Sequence, residues 1–143
     1  MFSILWPIVR LFLSLHVGLY RLTNGRVGGS MRGAPILLLT TKGRRTGKRR
    51  TTPLLYMKDG DDLVIVASNG GNDRAPAWSV NLRHEPRATV RVKGDTGEMT
   101  ARIASPAEKG RLWPVLTKMY PSYDNYQKRT TREIPVIILQ QAG

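Results

Sequence analysis

The sequence predicts an α+β fold: a small β-barrel of six mostly antiparallel strands, with flanking helices and an amphipathic helix at the N-terminus. Three observations carry this. Short apolar or alternating runs recur along the chain, and tight turn signals join two pairs of them. Only two stretches beyond the first helix carry helix start and stop signals, and they stand apart from the strands instead of alternating with them. The length, 143 residues, suits a single core.

The first element spans residues 2–21. Leu5, Ile8, Phe12, Leu15 and Leu19 share one helical face, and Ser3, Arg10, Ser14 and Arg21 the opposite one. No basic residue precedes the apolar run, and Pro7, Arg10 and His16 interrupt it, so neither a signal peptide nor a spanning helix fits. Four arginines and no acid through residue 33 suit a helix lying on an anionic membrane surface. Packing on the domain's own core or at a dimer contact are the other readings. A glycine-rich stretch, Asn24-Gly25-Arg26-Val27-Gly28-Gly29, ends the helix and serves as a linker. Residues 1–33 therefore form an N-terminal unit and residues 34–143 the barrel.

Strands are expected over Ile36–Thr41, Thr52–Lys58, Asp62–Ser68, Ala88–Lys93, Glu98–Ala104 and Ile134–Gln140. Asp59-Gly60-Asp61 and Gly94-Asp95-Thr96-Gly97 supply the turns. Both faces of the third strand are apolar, which makes it central. Ala75–His84 reads as a helix with Pro76 in its first turn and Pro86 beyond its end. Ser105-Pro106-Ala107-Glu108 has capping-box spacing and opens a second helix running to Met119, with a kink at Pro114.

Composition narrows the function. Without cysteine there is no disulfide framework, thiolate metal site, iron–sulfur cluster or cysteine nucleophile. Two distant histidines give no basis for a zinc site. The formal charge of +13 draws anions: nucleic acid, an acidic membrane, or a phosphorylated or carboxylated small molecule.

Three motifs carry chemistry. In Lys42-Gly43-Arg44-Arg45-Thr46-Gly47-Lys48-Arg49-Arg50, six of nine residues are basic, between two strands. Guanidinium groups, a threonine hydroxyl and backbone amides freed by glycine make an anion cradle, although the spacing is not that of a P-loop. Ala67-Ser68-Asn69-Gly70-Gly71 leads through Pro76-Ala77 to Trp78 on the first turn of a helix. Such a loop presents backbone amides, and the indole can wall a planar ligand or pack in the core. Tyr120, Tyr123 and Tyr126 recur at spacing three, so they share a face suited to a flat, partly polar substrate, with a phenol able to donate a proton. Nothing pairs the carboxylates for hydrolysis. A bound cofactor is therefore expected to carry the chemistry.

These motifs, in this order from about Leu15 to Leu139, resemble the coenzyme F420-dependent nitroreductase and quinone reductase family of actinobacteria, which has a split β-barrel fold. The carriers are Leu38-Leu39-Thr40-Thr41-Lys42-Gly43-Arg44-Arg45-Thr46-Gly47, Arg50-Thr51-Thr52-Pro53-Leu54, Ala67-Ser68-Asn69-Gly70-Gly71 with Pro76-Ala77-Trp78, and Met119-Tyr120-Pro121-Ser122-Tyr123 with Tyr126. The resemblance implies a reduced deazaflavin, coenzyme F420 (8-hydroxy-5-deazaflavin), as hydride donor and a quinone or nitroaromatic as planar acceptor. It implies that Arg44, Arg45, Thr46, Gly47 and Arg50 hold the cofactor's phosphate and tail. Pro53, Ala67, Ser68, Gly70, Gly71, Ala77 and Trp78 would line its ring. Tyr120, Tyr123 and Tyr126 would border the acceptor, with Ser68 as a hydrogen-bond donor. It further implies a cytoplasmic protein held peripherally on the inner face of the cell membrane through residues 2–21. Asn69 stands where some relatives carry a lysine, and Leu55 where a tyrosine occurs. A flavin mononucleotide oxidoreductase on the same barrel is the alternative. A nucleic-acid-binding protein has the charge and the arginine-rich hairpin in its favour, but no helix-turn-helix, RNP or zinc pattern. A haem-type binding module ranks last.

Overall fold

The structure is a computed structural model describing residues 2–26, 28–31 and 33–142, with side chains from residue 11 onward. Its elements are α1 (Phe2–Thr23), β1 (Ser30–Met31), β2 (Ala34–Lys42), β3 (Arg49–Leu55), β4 (Met57–Asp59), β5 (Asp62–Val66), a 3-10 turn (Asn69–Gly71), α2 (Ala77–His84), β6 (Arg87–Val92), β7 (Asp95–Ile103), α3 (Pro106–Met119), α4 (Ser122–Lys128) and β8 (Val136–Gln141). The strands run β1-β2-β6-β7-β8-β5-β4, with β3 on the other edge of β2, and every pairing is antiparallel.

One residue curls this sheet. β3 pairs with β2 along its whole length, from Lys42↔Arg49 to Ile36↔Leu55. After Tyr56 the same chain, now β4, pairs with β5. The two edges of the sheet are thus one continuous segment that changes partner at Tyr56, and the sheet must roll into a half-barrel to connect them. The Tyr56 amide donates to Pro35 O at 3.1 Å, and its ring is buried inside.

Runs that are apolar on both faces force two-sided burial. Leu37, Leu39, Leu63, Ile65, Val90 and Leu139 point into the barrel, where Trp78 and Leu82 of α2 plug it. The alternate residues Val64, Val66, Val136 and Ile138 face outward under α3 and α4. Ile36 and Leu38 face outward under α1, which docks through Val17 and Tyr20. Tyr20 is the anchor: its hydroxyl donates to Ile36 O at 3.0 Å and accepts from the Lys93 amide at 2.6 Å, bridging β2 and the β6–β7 turn.

Several expectations need correction. The predicted second strand is two, split at Tyr56, and the short β1 adds another. The β6–β7 turn is Lys93-Gly94, since Val92 pairs with Asp95 and Gly97 lies within β7. Lys93 takes a positive φ of 55° there, stabilised by the Tyr20 contact. Pro76 is the N-cap of α2, not a residue of its first turn, while Ser105 forms the full capping box. α3 continues through Pro114. α4 is a helix of its own where the sequence shows only a tyrosine repeat. The glycine-rich stretch is a packed corner: Gly25 N donates to Tyr20 O at 2.8 Å, and His16 Nε2 bonds Gly28 O at 2.7 Å. Val27 in that stretch lies outside the described residues, as do the side chains of Ser3, Leu5, Ile8 and Arg10.

From residue 11 onward, the apolar face of α1 is largely exposed. Phe12, Leu15 and Leu19 are 67%, 53% and 47% exposed, beside Leu11 and Leu22. Among the described residues no helix is long and apolar enough to cross a membrane.

Candidate functional site

The basic motif is the hairpin loop between β2 and β3. Gly43 N donates to Lys48 O at 2.8 Å and Gly47 N to Gly43 O at 2.9 Å, closing a tight loop in which Gly47 has φ 69°. Arg44, Arg45, Thr46, Gly47, Lys48, Arg49 and Arg50 are all exposed. Among the described residues the ion pairs are Arg102–Glu108, Lys109–Glu133 and Arg111–Asp59, so no carboxylate forms an ion pair with the loop. Packing against α2 sets its orientation. The Arg44 amide donates to Asn81 Oδ1 at 3.2 Å, Asn81 Nδ2 donates to Thr41 Oγ1 at 3.1 Å, and the Arg44 guanidinium reaches His84 Nε2 at 3.5 Å. An open cleft of about 270 Å³ lies at the foot of the loop, with Lys42, Arg49 and Arg87 set against Glu85 and Glu98.

The second motif follows β5. Ala67 and Ser68 are buried, and Gly70 and Gly71 turn the chain with φ 63° and 80°. Two of the amides at this turn are used within it. Gly71 N donates to Ser68 O at 2.9 Å and Asn72 N to Asn69 O at 3.1 Å. Gly71 is glycine because α4 is in the way: a Cβ there would sit 2.8 Å from Tyr126 O. Ser68 precedes the turn, and its side chain makes no capping bond. Asn69 is spent locally, its Nδ2 donating to Arg74 O at 2.9 Å.

The tyrosines do converge. Tyr120 ends α3, and Tyr123 and Tyr126 lie on α4. Their ring centroids are 5.0, 6.2 and 6.4 Å apart, and the Tyr120 and Tyr126 hydroxyls are 3.3 Å apart. They pack on the outer face of the sheet, not over the barrel end. Burial pushes the Tyr123 phenol well above the usual tyrosine range, and neighbouring Tyr120 and Tyr126 add to this.

The register of β3 sorts the predicted ring-lining residues. Pro53 pairs with Leu38 and Leu55 with Ile36, which places both on the outer face. Leu55 packs against the α1 cluster and against the tyrosine cluster, so β3 is the floor between them. Arg21 of α1 donates to Thr51 Oγ1 on the same floor at 3.3 Å. Trp78 and Ala67 lie in the inner core on the other side, with Leu54. Trp78 is 7% exposed, which favours its core-packing reading, whereas Ala77 is exposed. Sequence reasoning missed the residues that hold the Ser68 turn: Arg129, Thr130 and Arg132. Only their polarity marks them in the chain, and their partners lie 57 to 65 residues away.

A family model described as F420H2-dependent quinone reductase matches residues 12–141. The chain belongs to this family. An F420H2-dependent quinone reductase of Mycobacterium tuberculosis is 44% identical over 131 residues, covering 89% of this chain and 88% of the relative. The solved structure of an F420-H2 dependent reductase (FDR-A) superposes with a TM-score of 0.68 at 34% identity, covering 74% of this chain and 94% of that one. A haem-binding protein from Mycobacterium smegmatis, 16% identical with a TM-score of 0.59, covers 73% of this chain and 45% of that one and shares the fold alone. As an F420H2-dependent quinone reductase family member, the chain is an oxidoreductase on a split barrel whose cofactor is coenzyme F420. The residues fit that cofactor: an exposed arginine loop suits its anionic phosphate and tail.

Proposed function

We propose that this reductase family member transfers a hydride from reduced coenzyme F420 to a planar quinone of menaquinone type over the outer face of β3, with nitroaromatics as a second class of acceptor. The observation that carries this reading is Leu55. It joins the α1 cluster to the tyrosine cluster, giving a floor with an aromatic wall on one side and a helix on the other. With Leu55 in place of a phenol and Asn69 in place of an ammonium, the acceptor side is apolar, which suits a lipophilic quinone.

When bound, the coenzyme supplies the hydride. The chain's own residues bind, orient and exclude water. Arg44, Arg45, Thr46, Gly47 and Arg50 hold phosphate and tail carboxylates. Pro53 on the floor, and Ser68, Gly70, Gly71 and Ala77 at the β5–α2 end, border the ring, while Ala67 and Trp78 support them from the core. Tyr120, Tyr123 and Tyr126 cover the acceptor, and the Ser68 hydroxyl donates to an acceptor oxygen. Holding two planar reactants face to face with water excluded lowers the barrier to transfer.

Residues 1–33 act as an appended unit that rests on the inner face of the membrane, and residues 34–143 form the cofactor-binding barrel. Exposed Phe12, Leu15 and Leu19, with Arg21 and Arg26 nearby, support a peripheral contact with anionic lipid. A quinone dissolved in the bilayer would then enter beside α1.

The deciding experiment is anaerobic oxidation of reduced coenzyme F420 with menadione, followed by the return of deazaflavin fluorescence. A saturable rate is expected. Absence of both rate and cofactor binding would sink the reading and return flavin mononucleotide to consideration.

A further inference from the structure

The bonds that hold the Ser68 turn come from outside it. In the connector between α4 and β8, Arg132 Nη2 donates to Ala67 O at 3.2 Å and Ser68 O at 2.9 Å, and its Nε donates to Asn72 O at 2.9 Å. The planar guanidinium spans both ends of the turn, which a single ammonium cannot do. Arg132 is itself fixed to α4: its carbonyl accepts from Gln127 Nε2 at 2.8 Å, one residue after Tyr126. Gln127 Oε1 accepts from the Ile134 amide at 3.0 Å. A second clasp lies beside it, where Thr130 Oγ1 donates to Asp73 Oδ1 at 2.7 Å. Arg129 Nη1 also reaches Gly70 O at 3.3 Å.

We propose that Arg132 is a positioning residue for hydride transfer: it ties the turn carrying Ser68 to the helix carrying Tyr123 and Tyr126, so that both walls of the acceptor pocket keep one spacing. This rests on the reading above that Ser68 and the tyrosines border the acceptor. Arg132 touches neither reactant; it acts through three backbone carbonyls. The basic loop lies at the other end of α2 and is not part of this network, so anchoring of the cofactor's phosphate and tail is independent of it.

The test uses the full-length protein with menadione. Arg132→Gln and Arg132→Lys are expected to lower kcat by about 10- to 100-fold, the scale of a misplaced reactant. The dissociation constant for reduced coenzyme F420 should rise by about severalfold at most, well short of the fall in kcat, since the turn also borders the ring while the phosphate-and-tail anchor is untouched. Lysine should not rescue. In a Ser68→Ala background the further loss from Arg132→Gln should be much smaller, because the group it positions is gone. Thr130→Val should show a weaker effect of the same kind. An unchanged kcat in a folded Arg132→Gln protein, or losses that multiply fully in the double variant, overturn the proposal. If Arg132→Gln does not fold, Thr130→Val decides, and an unchanged kcat counts against it. If Ser68→Ala and Tyr126→Phe both leave kcat and KM unchanged, the acceptor-wall reading itself fails, which is distinct from Arg132 failing while those variants respond.

Discussion

Arg44 and Trp78 are both assigned to the proposed cofactor site but differ in what their removal tests. Arg44 is exposed and its guanidinium has no carboxylate partner among the described residues, so Arg44→Ala leaves the fold intact. Losing one charge-assisted hydrogen bond to a phosphate costs about 1.5–3 kcal/mol, or roughly 10- to 150-fold in cofactor affinity, read by titration. Trp78 lies in the barrel core, so Trp78→Ala is expected to lower stability by about 3–5 kcal/mol, read by denaturant unfolding, with any effect on affinity secondary. Tyr123 is a third kind of residue. Its raised pKa keeps the phenol protonated throughout the neutral range. Activity should therefore show no alkaline limb from Tyr123 below the usual tyrosine value of about 10. Tyr123→Phe should lower kcat/KM for menadione by about tenfold, the equivalent of one hydrogen bond, with cofactor affinity unchanged.

At the scale of elements, α3 and α1 make separate predictions. The capping box at Ser105 is reinforced from the sheet, because Arg102 on β7 donates to both Glu108 oxygens at 2.7 and 2.8 Å. Arg102 first, then the Ser105 amide, holds the Glu108 carboxyl down at about 2, below its ordinary 4.5. A depressed carboxylate pKa contributes stability above its unfolded value that disappears as pH falls through the folded one. Acid titration should show wild type losing its advantage over Glu108→Gln between pH 4.5 and about 2. For α1, the exposed apolar face predicts sedimentation with anionic phosphatidylglycerol vesicles. Phe12→Glu with Leu15→Glu should abolish that binding while leaving menadione reduction in solution unchanged. Equal vesicle binding by this variant would reject the lipid contact.

At the scale of the whole molecule, the barrel, its helices and the three motifs were legible because each leaves a local mark. Apolar alternation marks strands, Ser105 to Glu108 marks a helix start, and six cations in nine residues mark a basic loop. What chain chemistry settled by itself was class and reaction type: a chain without thiols whose motifs, in their order, resemble one reductase family. Tertiary structure alone decided how the motifs meet. It turned the sheet at Tyr56, put Pro53 and Leu55 on the opposite face from Trp78, spent the Gly71 amide on Ser68, and brought Arg132 to a turn 64 residues earlier. The physical reason is that hydrophobic periodicity is a property of neighbours along the chain. Which face of a strand meets which helix, and which carbonyl an arginine reaches, depends on contacts closed only when distant segments pack.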